Sequence, residues 1–120
     1  MIIKEFDPQI YPIKLFVSVV DNFKNLNGLF HDENDNKELT FDNFENYKAI
    51  TVKGRNGKNG FYGILIAFRP KFLDYNTIAH EAAHAAGYIC YHTGMDMDCG
   101  EATAYLIEWI VKCCWSLRKK

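Results

Sequence analysis

The sequence lacks features that would place it in several classes of protein. It has no apolar run of membrane-spanning length, and residues 1–8 combine a short apolar start with an early acidic residue, unlike a secretory signal. The formal net charge is only −1 over 120 residues, so no surface for a polyanion is expected. These absences predict a protein that neither spans a membrane nor binds nucleic acid.

The cysteines also lack the spacing of a redox or metal motif, because no C-x-x-C occurs among them. There are four, Cys90, Cys99, Cys113 and Cys114, and adjacent cysteines such as the last two rarely form an ordered bridge. We therefore expect reduced thiols and a cytosolic location. A hydrophobic fraction of 48% and an aromatic fraction of 15% indicate one globular domain over residues 1–120.

What the sequence does contain is H-E-x-x-H, at His80, Glu81 and His84. At 3.6 residues per helical turn, the two histidines project from one face of a helix and can converge on a zinc ion. Glu81 lies about 100° around the same helix, beside the ion, where it can accept a proton from a metal-bound water. The pattern therefore predicts two zinc ligands and a general base.

The residues around this motif are small or apolar, which predicts a helix buried deep in the core. They are Ile78, Ala79, Ala82, Ala83, Ala85 and Ala86. Burying two imidazoles and a carboxylate without partners would cost several kcal/mol, whereas a metal and its water would satisfy all three groups. A buried histidine pair without metal is the alternative interpretation.

The hydrophobic pattern predicts an α+β domain with about three strands. The strands are expected at Ile10–Val20, Tyr47–Lys53 and Phe61–Phe68, where β-branched and aromatic residues concentrate. Asp21 is expected to cap a short helix after the first strand. The last strand is apolar on both faces, so we expect it to be covered on both sides or to lie beside a cleft.

Two helices are expected to follow the strands. The first carries the histidines, is capped by Asp74 or Asn76, runs to about Tyr91 and stops at Gly94. The second begins near Gly100 and runs to about Leu117. The short connection predicts that the two helices pack antiparallel.

Catalytic zinc usually takes three protein ligands, so a third ligand is expected downstream of His84. We favour Glu101, because it opens the second helix. Its alternative role is in a capping box with Asp98, which itself could either ligate or cap the helix. Cys90 and His92 are the other candidates; a thiolate would weaken the Lewis acidity of the zinc, and His92 would have to bend back from the same helix.

With these residues in place, the sequence resembles the gluzincins, zinc metallopeptidases with H-E-x-x-H on one helix and a glutamate ligand on a following helix. Its size is similar to that of the minigluzincins, and it also resembles small metallopeptidase-like proteins of phages and gut bacteria. The matching segments are Ile64–Phe68, Ile78–Ala86 and Gly100–Trp109, roughly a third of the chain.

The resemblance implies a minimal zincin-like fold with His80, His84 and Glu101 as zinc ligands and Glu81 as the base. It also implies that part of Phe61–Phe68 is an edge strand that pairs with an extended peptide substrate. The gluzincins usually take a transition-state donor from a large C-terminal subdomain that this chain lacks. Tyr105, Tyr88 and His92 are the candidates for that role here.

These observations lead to two hypotheses of different kinds. The first is a zinc-dependent peptidase, in which zinc lowers the pKa of its water and Glu81 takes the proton during attack on a peptide carbonyl. The second is a catalytically idle zinc-stabilised module that binds a protein or peptide partner through its cleft. Glu81 favours the first hypothesis, because a purely structural zinc site does not need a base beside it.

Overall fold

The chain folds as a five-stranded mixed β-sheet with two long helices packed on one face. The computed structural model describes residues 1–57, 60, 62–98 and 100–118. The sheet has the order β1-β2-β5-β4-β3, in which β2 and β5 are parallel and every other pair is antiparallel. Its strands are β1 (Ile2–Phe6), β2 (Lys14–Val19), β3 (Phe30–His31), β4 (Ala49–Asn56) and β5 (Tyr62–Phe68).

The helices are α1 (Tyr75–Thr93) and α2 (Glu101–Trp115), and single 3₁₀ turns lie at Phe23–Leu26 and Pro70–Phe72. Of the two caps predicted for α1, Asp74 rather than Asn76 is observed: the Asp74 carboxylate accepts a hydrogen bond of 2.9 Å from the Thr77 N–H. The predicted stop is confirmed as well, because Gly94 takes a left-handed conformation with φ of 75°. Neither helix, over the residues described, has the length and apolar character needed to cross a membrane.

Each face of the sheet has its own hydrophobic cluster because side chains alternate along the strands. On one face, Leu15, Val17, Ile64 and Ile66 pack against the buried sides of α1 and α2. On the other face, residues between β2 and β4 cover the sheet through Phe23, Leu26, Phe30 and Phe41. The prediction that the last strand is covered on both faces is confirmed, because β5 is central and buried along nearly all of its length.

The α+β class is observed, but the prediction of about three strands is wrong. The two missed strands are β1 and β3. In β1 the middle residues are exposed and include Lys4 and Glu5, so the segment has no apolar alternation and is a strand only because it pairs with β2. Strand β3 has two residues and exists through pairing with Arg55 and Asn56. Tertiary pairing rather than local pattern creates both strands.

Smaller differences concern the first predicted strand, the first helix and the cysteines. The strand expected at Ile10–Val20 is shortened to β2, and Asn22 rather than Asp21 caps the 3₁₀ turn that replaces the short helix. Cys113 and Cys114 are free and buried, as expected for reduced thiols, and Cys90 is buried in α1. Cys99 lies outside the described residues.

Candidate metal and catalytic site

The histidine pair converges as the motif predicts. The Nε2 atoms of His80 and His84 lie 3.2 Å apart, and the two rings meet edge to face. Two nitrogens bound to one tetrahedral zinc at 2.0–2.1 Å lie about 3.3–3.4 Å apart, so the pair fits a zinc ion with little adjustment. Without an ion, the same distance is that of a hydrogen bond between one ring N–H and the other ring nitrogen.

The expectation of a helix buried deep in the core holds for one face of α1 and is wrong for the face that carries the histidines. The His80 side chain is 69% exposed, and His84, Ala79 and Ala83 are exposed as well. Helix α1 buries only the face that carries Ile78, Glu81, Ala82, Ala85, Ala86 and Ile89. The histidines therefore face solvent, and the alternative of a buried pair without metal is excluded.

Glu81 is the buried member of the motif, at 6% exposure. Its Oε1 accepts a hydrogen bond of 2.7 Å from the Thr51 hydroxyl on β4, and its Oε2 lies 3.9 Å from Nε2 of His80. One carboxylate oxygen is therefore held by the sheet while the other faces the histidines. Of the two carboxylate oxygens, Oε2 is the one positioned to accept a proton from a group bound at the histidine pair.

Thr51 was not among the site residues predicted from the sequence. A threonine in a strand is ordinary, and its partner lies thirty positions away along the chain. Only the packing of α1 against β4 brings the hydroxyl to the carboxylate. Thr51 is therefore a site residue that the structure adds.

The site lies in an open cleft between β4 and the exposed face of α1, which we call the α1–β4 cleft. It has a volume of about 270 Å³ and its lining includes Phe44, Tyr47, Thr51, His80, Glu81, His84 and Tyr88. Among the described residues, only Arg55 and Asn56 of β4 pair with β3. The edge of β4 from Thr51 to Lys53, where the residues are partly exposed, is therefore available to a further strand.

The expectation that part of Phe61–Phe68 is an edge strand is wrong. Strand β5 pairs with β2 on one side and with β4 on the other, so it has no edge to offer a peptide. Phe61 itself lies outside the described residues. Strand β4 is antiparallel to β5 and contributes Thr51 to the site.

The structure does not bring Glu101 to the histidine pair. Within the described residues, no group of three His, Cys, Asp or Glu side chains is arranged to hold a metal ion. Glu101 is exposed at the first position of α2. Helix α1 continues for about 14 Å beyond His84 before it ends at Thr93. Because the connection is short, α2 begins near that end of α1 and not near His84.

The other candidates for a third ligand also lie apart. Cys90 is buried in α1, and Asp98 is exposed in the connection, where its N–H donates to Asp96. The interpretation of Asp98 as the cap of α2 is wrong, because Gly100 is the N-cap and α2 has no side-chain capping bond. The ring of His92 stacks on that of Tyr62 with centroids 4.0 Å apart.

Of the three candidate donors, only Tyr88 lines the α1–β4 cleft. His92 is engaged with Tyr62, and Tyr105 is exposed on α2 beside Pro8 and Ile10. The structure thus places Tyr88 next to Glu81 and His84 and leaves the other two outside the cleft.

Cys114 of α2 approaches the buried side of the site. Burial raises the pKa of its thiol to about 12, and the negative charges of Cys113 and Glu81 act in the same direction. The thiol therefore stays protonated at neutral pH and is not a reactive nucleophile in that state.

Comparison with known proteins adds no relative. No protein-family model matches the sequence, and it matches neither a curated protein nor a solved structure. Any function assigned to the chain therefore depends on its own residues and their geometry.

Proposed function

We propose that the protein is a zinc-dependent hydrolase that cleaves peptide bonds in an extended chain lying along β4. The observation that carries the proposal is the placement of Glu81. Its buried carboxylate lies between a convergent histidine pair and a strand with an available edge. An ion site that served only stability would not need a base held at this position.

His80 and His84 would hold the ion through their Nε2 atoms. Bound zinc supplies a Lewis acid that polarises a carbonyl and lowers the pKa of a coordinated water. Glu81 takes the proton of the attacking water on Oε2 and returns it to the leaving amine. Thr51 holds Oε1, so the carboxylate keeps one orientation through both transfers.

The substrate class follows from the edge of β4. The main-chain N–H and C=O groups of Thr51 to Lys53 can pair with an extended peptide segment beside the histidine pair. Thr51 lies in this strand, so the residue that orients the base also belongs to the surface that receives the substrate. Buried free thiols support a reducing, cytosolic setting for the reaction.

A second function is favoured by one observation, the lack of a third ligand for the histidine pair within the described residues. Two histidines bind zinc more weakly than three ligands do. If the ion is held too weakly for catalysis, the chain is a module that binds a peptide or protein partner through the α1–β4 cleft without hydrolysis. The first function requires Glu81 as the base for hydrolysis, whereas the second involves binding alone.

The first test measures zinc content after reconstitution with the metal. We expect about one zinc per chain in the parent protein, and its loss in His80→Ala and in His84→Ala. His92→Ala is the matched control, because this histidine lies on the same helix but stacks on Tyr62. A parent that folds but retains no zinc would refute the metal site.

The second test compares the parent with Glu81→Gln on a quenched peptide library. The amide keeps the shape of the carboxylate but cannot accept a proton, so hydrolysis should fall by about 10² to 10⁴ while zinc content is unchanged. Cleavage at equal rates would exclude Glu81 as the base. Absence of cleavage by the zinc-loaded parent would favour the partner-binding module.

A further inference from the structure

The α1–β4 cleft continues past His84 into a second depression on the exposed face of α1. This depression, which we call the Tyr88 groove, has a volume of about 410 Å³ and is lined by Lys53, Ala83, His84, Gly87, Tyr88 and Tyr91. His84 and Tyr88 belong to both spaces. A peptide that lies along β4 at the histidine pair therefore has a direct path for a neighbouring side chain into the groove.

The floor of the groove is open because Gly87 has no side chain. Glycine inside a helix is less stable than alanine, so it needs a reason. No turn explains it, because α1 runs unbroken to Thr93, and no crowding explains it, because a Cβ added at Gly87 would meet no atom within 4 Å. The fold therefore does not require glycine at position 87. A groove with an open floor does require it, because any side chain at this position would fill the floor.

The walls of the groove are aromatic, and Lys53 lies at its rim. The Lys53 ammonium lies 5.6 Å from the centre of the Tyr88 ring and 5.5 Å from that of Tyr91. It also pairs with Glu33 at 3.1 Å, which holds the lysine in this position. Tyr91 is 82% exposed, so much of its ring is available to a ligand.

We propose that the Tyr88 groove is a specificity subsite that takes an aromatic side chain of the peptide bound along β4. An aromatic ring can stack on the exposed ring of Tyr91 over the open floor at Gly87. Its electron-rich face can also approach the Lys53 ammonium. The peptide nature of the ligand rests on the proposed function; the aromatic preference rests on the groove itself.

The test uses binding of fluorescent peptides to metal-free protein, so that it does not depend on hydrolysis. Peptides carry Phe, Ala or Lys at one scanned position within an otherwise constant sequence. At the position that enters the groove, we expect Phe to bind at least about 10-fold more tightly than Ala or Lys, as burial of one aromatic side chain allows. Gly87→Leu should reduce this preference to less than about 3-fold by filling the floor.

Two further variants separate the groove from general effects of substitution. Ala104→Leu places the same side chain at an exposed position of α2 and should leave the Phe preference unchanged. Lys53→Met keeps the length of the side chain but removes its charge, so it should weaken binding of the Phe peptide relative to the Ala peptide. Circular dichroism checks that each variant retains the helical content of the parent.

The outcomes distinguish the subsite from the proposed function. Hydrolysis by the zinc-loaded parent without any aromatic preference would overturn the subsite and leave the function standing. A second outcome is that the parent prefers the aromatic peptide, that Gly87→Leu abolishes this preference, and that the zinc-loaded parent cleaves no peptide. This outcome would support the subsite and count against hydrolysis. Equal binding of the Phe and Ala peptides, a preference that persists in Gly87→Leu, or no measurable peptide binding would each overturn the subsite.

Discussion

At the scale of single residues, the contact between Thr51 and Glu81 links stability to function. The Thr51 hydroxyl donates a bond of 2.7 Å to a carboxylate that is almost fully buried. A hydrogen bond to a charged group contributes more than a neutral one, and its loss leaves a buried oxygen without a donor. The residue that orients the proposed base should therefore also be important for folding.

We expect Thr51→Val to lower the free energy of unfolding by about 1.5–3 kcal/mol, because it keeps the shape of the side chain but removes its hydroxyl. Thr51→Ser should retain most of the stability, since it keeps the donor. The measurement is chemical denaturation followed by circular dichroism. Loss of stability in Thr51→Ser equal to that in Thr51→Val would show that the methyl group, and not the hydroxyl, is important.

Thr103 offers the matched control for this experiment. Its Oγ1 is buried in α2 and has no hydrogen-bond partner among the described residues. Thr103→Val removes a hydroxyl that makes no bond, so it should leave stability unchanged or raise it. The contrast between the two Thr→Val variants isolates the contribution of the bond to Glu81.

At the scale of elements, α1 depends on its N-cap at Asp74. The hydrogen bond from the Thr77 N–H lowers the pKa of the Asp74 carboxyl below its usual value of 3.8. Because the folded-state pKa is the lower one, the ionised cap stabilises the fold above about pH 4, and this contribution is lost as the pH falls through the folded-state pKa.

We expect Asp74→Ala to lower the midpoint of thermal unfolding at neutral pH, and the gap to the parent to narrow as the pH falls below about 4. Asp74→Asn should behave differently, because asparagine caps a helix without titrating. Thermal melts across this pH range test the idea. A gap of constant size at every pH would show that the charge of Asp74 makes no contribution.

The elements that the sequence predicted well are those with a local cause. The cap at Asp74, the stop at Gly94 and the histidine spacing each act within one or two helical turns, and each is found in the structure. The elements it missed have causes elsewhere in the chain. Strand β1 forms against β2, and β3 forms against the end of β4.

The residues of the candidate site likewise fall into two groups, those whose position has a local cause and those whose position depends on distant parts of the chain. The motif sufficed to bring His80, Glu81 and His84 together, because one helix carries all three. It could not indicate Thr51 or the role of β4, since the packing of α1 on the sheet decides both. The expected use of Glu101 depended on the length of α1 beyond His84, which extends to Thr93 and keeps the two apart.

At the scale of the whole molecule, the cysteines of α2 are buried in the core between the helices and the sheet. Cys114 is fully buried, and burial raises the pKa of Cys113 to about 11 and that of Cys114 to about 12. A thiol must be both exposed and ionised to react with an alkylating reagent. Modification at these positions therefore requires the molecule to open.

We expect neither Cys113 nor Cys114 to react with iodoacetamide at about pH 8 in the native protein, and both to react fully in denaturant. Mass spectrometry of the digested protein assigns the label to each cysteine. The less stable Thr51→Val variant should label faster than the parent, because opening becomes more frequent. Rapid labelling of Cys114 in the native parent would show that α2 detaches locally without global unfolding.

The parallel pairing of β2 with β5 has a consequence for how the protein is made. These strands are joined in register although about fifty residues separate them, so their contacts form only after a long loop has closed. Strands β4 and β5 are neighbours along the chain and can pair first as a hairpin, which leaves the apolar β5 without its other neighbour. Until β2 pairs with it, the β4–β5 hairpin exposes the apolar residues of β5 and is prone to aggregate. Folding speed in the cell should therefore depend on how soon β2 pairs with β5.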